Sequence, residues 1–341
     1  MTDFDFSRRT FAAALAALPL AGGVRPSHAG SPSPAKAAIY SFPNSPWWNH
    51  WDMFKAAMAQ DPSLPFEYFL LGELGSEEQH MTALRRNRIQ ITGITGLAVS
   101  VLIPAFAVTM SPFLFDSDAE GDFVFDTVIE PILARWLEER GMVFLQFSEG
   151  GATGLYGKAV AIKTPGQARG MRLRGSENIA TQAFLGSIGA DRIALGSADQ
   201  VPALQTGLID GGTTTTVFYA MGLASVAPHF TVTAHSYDAG ANVAYKQWWS
   251  TLTPPQQERL RGAYGGSALL RKNVRGWAEA KFAELKANGA DIHTLTPDER
   301  SAWRDATKPA RARILEQAGK DGERLLAQIE EGRQQFAKRR G

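Results

Sequence analysis

The 341-residue sequence contains no cysteine. That excludes disulfides, thiolate chemistry and cysteine-ligated metals, and it fits an oxidising compartment without requiring one. Charge of either sign is not in excess. The formal net charge is +1, so nothing draws the chain to nucleic acid or to an anionic membrane surface. Long apolar runs are missing as well. Residues 94–110 come nearest to one, but Ser100 and Pro104 interrupt them, and a span needs about 20 apolar residues. No stable membrane insertion is expected.

Catalytic signatures are also absent. The six histidines show no HExxH spacing, and no GxSxG elbow is present. The run from Glu149 to Lys158 at first resembles a phosphate loop. Five residues separate Gly151 from Gly157, however, and Ala159 stands where a Ser or Thr is required. It reads instead as a flexible, glycine-rich crossing between lobes. Glu77 and Glu78 read as first-turn acids meeting a helix dipole. His235 reads as a structural histidine. No catalytic residue, metal ligand or cofactor is assigned.

What is present is an ordinary globular composition, 44% hydrophobic and 20% charged, with length for about two domains. The N-terminus reads as an export signal over residues 1–29. Arg8 and Arg9 precede an apolar stretch from Phe11 to Ala21, and Ser27-His28-Ala29 supplies small residues for cleavage near Gly30. Paired arginines before a short apolar segment fit the twin-arginine type. Residues 30–36, rich in Ser and Pro, read as a disordered lead-in.

Beyond them, strand-like and helix-like stretches alternate. The first set includes strands near residues 37–42, 66–71, 89–95 and 142–147. Its helices begin at Trp47, at Ser76 (an N-cap) and at Asp122, the last closing at Gly141. The second set includes strands near 171–174, 193–195, 209–211, 230–234 and 241–245. A long helix from Pro254 or Pro255 to about Asn288 and a polar, helix-prone tail follow. This rhythm predicts an α/β fold of two lobes, each a βα sheet sandwich, joined by several chain crossings and a long helix. The expected partition is 36–151 plus 240–279 for one lobe and 152–239 plus 280–330 for the other. A cleft between two such sheet edges is a natural small-molecule site.

One block carries more information than the rest. It runs from Lys163 through Arg169-Gly170-Met171-Arg172-Leu173-Arg174, then Gly189-Ala190, and ends in Ala203-Leu204-Gln205-Thr206-Gly207-Leu208-Ile209-Asp210-Gly211. It resembles the DctP-type solute-binding proteins of tripartite ATP-independent periplasmic (TRAP) transporters. Leu74-Gly75-Ser76-Glu77, Arg88-Ile89-Gln90, Pro112-Phe113-Leu114-Phe115 and the segment from Trp248 to Gln257 extend the resemblance. It covers roughly residues 36 to 330. It implies a periplasmic binding protein that takes a small organic acid and delivers it to TRAP membrane subunits. The alternatives are a receptor for a membrane sensor and a secreted enzyme on a two-lobed scaffold.

The resemblance also points to residues. Alternation puts Arg172 and Arg174 on one face of a short strand, with Arg174 at its carboxyl end. In the family, an arginine here clamps the ligand carboxylate, and a guanidinium's two parallel N–H groups match that geometry. Thr214 and Thr215 occupy places where many relatives have Asn-Pro. Gly154 stands where many relatives have a second arginine, which argues against multiply charged ligands. Trp47, after the first strand, and Phe218 with Tyr219, after the Asp210-Gly211 strand, are the expected aromatic walls.

Overall fold

The computed structural model describes residues 33–340. The expected export segment over residues 1–29 lies outside them, as do the first three residues of the expected lead-in. The lead-in's last two residues, Ala35 and Lys36, already belong to a strand.

Among the described residues there are ten strands. They are β1 (Ala35–Ala38), β2 (Phe66–Phe69), β3 (Ile91–Ile94), β4 (Met142–Gly157), β5 (Arg172–Gly175), β6 (Asp191–Ala194), β7 (Gly211–Thr215), β8 (His229–Val232), β9 (Tyr237–Tyr245) and β10 (Asp291–Thr294). Their order is β2-β1-β3-β9-β4-β7-β5-β6, with β8 also on β4 and β10 on β8. β1, β2 and β3 are parallel, while β9 runs against both β3 and β4.

β4 joins the two halves. Its residues Met142 to Ala152 pair with β9, and Thr153 to Gly157 pair with β7. Leu155 to Gly157 also pair with β8. The glycine-rich stretch expected as a flexible crossing is therefore the middle and end of a paired strand. The glycines serve close approach instead. A Cβ on Gly150 would come within 2.9 Å of the Asp238 carboxylate, and Gly151 adopts φ +92° at the strand's irregularity.

Both faces of the first sheet are covered, as βα crossovers require. Ala37, Ile91 and Ala244 pack under Trp51, Phe54 and Tyr264. Ala38, Ile94 and Val243 face the opposite core, with Phe106 and Leu133. In the second sheet, Leu155 and Leu173 pack with Phe184, Leu185 and Trp303. On its other face Tyr156, Leu204, Tyr219 and Phe230 form a separate cluster.

Local signals set the helix ends. Ser76 caps Glu77–Arg85 in a capping box with Gln79, and Asn178 caps Ile179–Ser187 by accepting from Thr181 N. The expected long helix is two. Pro254–Gly262 stops before Gly265 and Gly266, at φ +76° and +88°, and Ser267–Ala287 follows. The tail helix Pro297–Arg340 breaks at Gly319. Although expected with the second lobe, it sends Ala310, Ile314, Ala318, Leu325 and Ile329 into the first sheet's core. Spacings of about one turn on either side of the break put these residues on one buried stripe.

Candidate functional site

β5 ends at Arg174-Gly175. Leu173 points into the core and is fully buried, so its neighbours turn to the other face. Arg172 lies at the exposed end of that face and pairs with Asp210 (2.5 Å). Arg174 differs, being only 4% exposed. Its Nε–H donates to the Leu195 carbonyl (2.9 Å) and its Nη1–H to the Thr213 carbonyl (3.3 Å). Among the described residues no carboxylate lies within salt-bridge distance of it. Burial draws its pKa below the ordinary arginine value, and the more distant Tyr156 and Asp199 only partly oppose that.

Other buried or half-buried arginines contrast with it. Arg271 and Arg275 hold Asp126 and Asp122 through paired bonds of 2.7–2.8 Å, and Arg275 also holds Glu149 (2.9 Å). These groups tie the Asp118–Val124 and Ser267–Ala287 helices to the central strand. Arg333 pairs with Glu120 and Asp116. A buried cation is ordinarily matched by an acid, and Arg174 is matched only by two carbonyl dipoles.

Two glycine positions let the strands beside Arg174 close in on their neighbours. A Cβ on Gly212 would meet Arg174 Cβ at 2.8 Å and the Tyr156 hydroxyl at 2.5 Å. Tyr156 is fully buried and donates to Gln200 Oε1 (2.9 Å). Gly154 pairs across β4–β7 with Thr214. A Cβ there would lie 2.6 Å from the Thr231 carbonyl and against the Phe230 ring.

The expected site residues are distributed as follows. Thr214 is half-buried beside the Thr213 carbonyl that holds Arg174. Thr215 is buried and caps the next turn, its Oγ1 accepting from Phe218 N (3.4 Å). Phe218 is half-buried, with its ring 5.2 Å from that of Trp47. Trp47 is 7% exposed, and its Nε1–H donates to the Glu149 carbonyl (2.7 Å). Arg174, Thr214 and Thr215 thus stand on adjacent strands, and Phe218 and Trp47 meet across from them. Tyr219 does not join them. It is fully buried, stacks on Phe230 (4.2 Å) and donates its hydroxyl to the Ala227 carbonyl (3.0 Å). One step along the turn from Phe218 carries it to the opposite side, into the core.

His235 is structural. It stacks on Phe184 (3.7 Å), bonds Thr233 through Nδ1 (2.7 Å), and burial lowers its pKa to about 3. Sequence reasoning missed Tyr40 and Phe42. Phe42 approaches Phe218 edge-on at 6.1 Å, and Tyr40 stands 5.3 Å from Phe42. The Gly211-Gly212 doublet was the sequence signal for the space at Arg174.

The family model described as bacterial extracellular solute-binding protein, family 7 (DctP) matches residues 38–318. The chain belongs to this family. Its members are transport binding proteins rather than enzymes. The C4-dicarboxylate-binding periplasmic protein of Rhodobacter capsulatus is 22% identical over 74% of this chain and 77% of its own length. The ectoine-binding periplasmic protein of Halomonas elongata is 21% identical over 81% and 83%. Among solved structures, the sugar acid binding protein of Advenella mimigardefordensis with galactonate superposes with TM-score 0.82. It is 23% identical and covers 89% of this chain and 99% of that one. A TRAP periplasmic solute-binding protein of a Sulfitobacter species, with β-D-galacturonate bound, gives 0.81 at 22% identity over 87% and 99%. These likenesses establish the two-lobed fold. Among the described residues no helix is long and apolar enough to cross a membrane, and no group of His, Asp and Glu is arranged to hold a metal.

Proposed function

We propose that the protein binds a small organic carboxylate between its two lobes and delivers it, in the periplasm, to the membrane subunits of a TRAP transporter. Residues 1–29 direct export in this reading. The boundary between the lobes falls within β4, between Ala152 and Thr153, where its partner changes from β9 to β7. Arg174 clamps the carboxylate, Thr214 and Thr215 border it, and Trp47 with Phe218 form the wall.

The observation that carries the reading is the buried Arg174 guanidinium, which has no acid partner among the described residues. A ligand carboxylate supplies the missing charge. Loss of such a pair costs about 2–5 kcal/mol, roughly 30- to 4000-fold in affinity. The test is calorimetric titration of wild type, Arg174→Ala and Arg174→Lys with the acid that co-purifies, identified by native mass spectrometry. The Ala variant should fall in that range. The Lys variant should recover only part of the loss, because an ammonium cannot make the two-pronged contact. Wild-type affinity in Arg174→Ala refutes the clamp.

A further inference from the structure

The surroundings of Arg174 restrict the acid further. Two strands flank the guanidinium on its own face with little that is polar, and the cation on the third strand, Arg192 of β6, shares the face of Leu173 and is bonded to the Ser176 carbonyl (3.1 Å). β7 contributes Gly212 and Thr214, and β4 contributes Gly154 and Tyr156, among which the glycines have no room for a side chain. The Tyr156 hydroxyl already donates to Gln200. The acid whose charge acts on Arg174 is Asp199, which a second carboxylate would meet with repulsion. Among the described residues that share this face, the Thr214 hydroxyl is the flanking group with no protein partner, since Thr213 turns its side chain to the face of Leu173.

The other wall is a continuous run of rings. Tyr40 meets Phe42, Phe42 meets Phe218, and Phe218 meets Trp47, at 5.3, 6.1 and 5.2 Å. Tyr40, Phe42 and Phe218 are each partly exposed, so ring surface faces open space. The Trp47 N–H is already bonded to Glu149. Phe218 follows β7 on its strand-to-helix turn, five residues beyond the Thr213 whose carbonyl accepts from Arg174.

We infer that the ligand is a monocarboxylate with an apolar, ring-bearing body. The inference rests on the reading of Arg174 as a carboxylate clamp. A second carboxylate beside the guanidinium would lose its water and find no cation on that face. A polyhydroxy acid needs a partner for nearly every hydroxyl, and the single free threonine hydroxyl on this face supplies too few. A flat apolar body stacks edge or face against the rings and needs no such partners.

Calorimetric titration with four probes tests this: phenylacetate, succinate, D-glucuronate and the neutral phenylacetamide. Phenylacetate should bind at least tenfold tighter than succinate or glucuronate, and phenylacetamide should not bind. Succinate or glucuronate equal to or tighter than phenylacetate overturns the ligand class and leaves the clamp standing. Phenylacetamide binding as well as phenylacetate overturns both. Binding of none of the four overturns the class, and the clamp is then decided by the co-purified acid. Phe218→Leu keeps apolar volume and removes the ring. It should weaken phenylacetate at least fivefold with an unchanged thermal midpoint. An unchanged affinity shows that the ring wall does not touch the ligand.

Discussion

At the residue scale, two acids are held where water is scarce. Glu77 accepts from Thr95 N (3.2 Å) and Oγ1 (2.7 Å), and burial drives its pKa up to about 7. It was read from the sequence as a helix-dipole acid, and it does begin the Glu77–Arg85 helix, but its carboxylate bridges to the turn after β3. Asp238, 3% exposed, accepts from Gly96 N (2.7 Å), and burial pushes it up to about 6. In the unfolded chain both carboxyls ionise near pH 4. The folded protein therefore keeps protons that the unfolded chain releases. The resulting stability is fully present below about pH 4 and is lost as pH rises through 6 to 7. His235, lowered to about 3, opposes this where pH falls below its ordinary value of 6.5. A Glu77→Gln/Asp238→Asn double variant keeps shape and one acceptor oxygen at each position while removing the titrations. Between pH 5 and 8, at fixed ionic strength, the wild-type thermal midpoint should fall more steeply than that of the variant. Parallel curves would show that these carboxyls are already ionised in the folded protein.

At the scale of elements, glycines decide where structure stops or runs on. Gly319 interrupts the tail helix at φ +65° and ψ −163°, and its absent Cβ would meet nothing within 4 Å. Only backbone conformation is then at stake, in a region open essentially to glycine alone. Gly319→Ala should destabilise by about 1–3 kcal/mol. Were the helix straight, the same change would stabilise it by about 1 kcal/mol, so the sign of the shift in chemical denaturation answers the question. Much of the element pattern was legible for this kind of reason. Ser76 and Gly141 mark helix ends through contacts with their own near neighbours. The full length of β4 was not legible, because a glycine run gives the same local signal whether it forms a loop or lets two strands approach. Arg174 could be placed by alternation and resemblance. The Phe42–Phe218 contact could not, since it joins segments far apart in the chain and depends on how the two lobes face each other.

At the scale of the molecule, a ligand held by Arg174 on one side and by the Tyr40–Phe42 segment on the other should favour the closed arrangement of lobes over the open one. Small-angle scattering with saturating ligand should show a smaller radius of gyration than without it. Superimposable profiles at proven saturation would rule out hinge closure as the mode of capture. The crossing is made of hydrogen-bonded strand, with the Arg271 and Arg275 clusters on Glu149 beside it, so closure must bend a ribbon rather than swing on a slack tether. The shared strand has one more consequence, for how the gene can change. Met142–Gly157 carries a single residue count through both sheets. One codon inserted after Ala152 would leave the first pairing intact and turn Leu155 and Tyr156 each towards the other's core. Their two clusters would be disrupted together, and Gly154 would leave its place under the Phe230 ring. Descendants of this chain can therefore re-tailor the cleft by substitution, and can vary length in surface turns, while the residue count across the strand stays fixed.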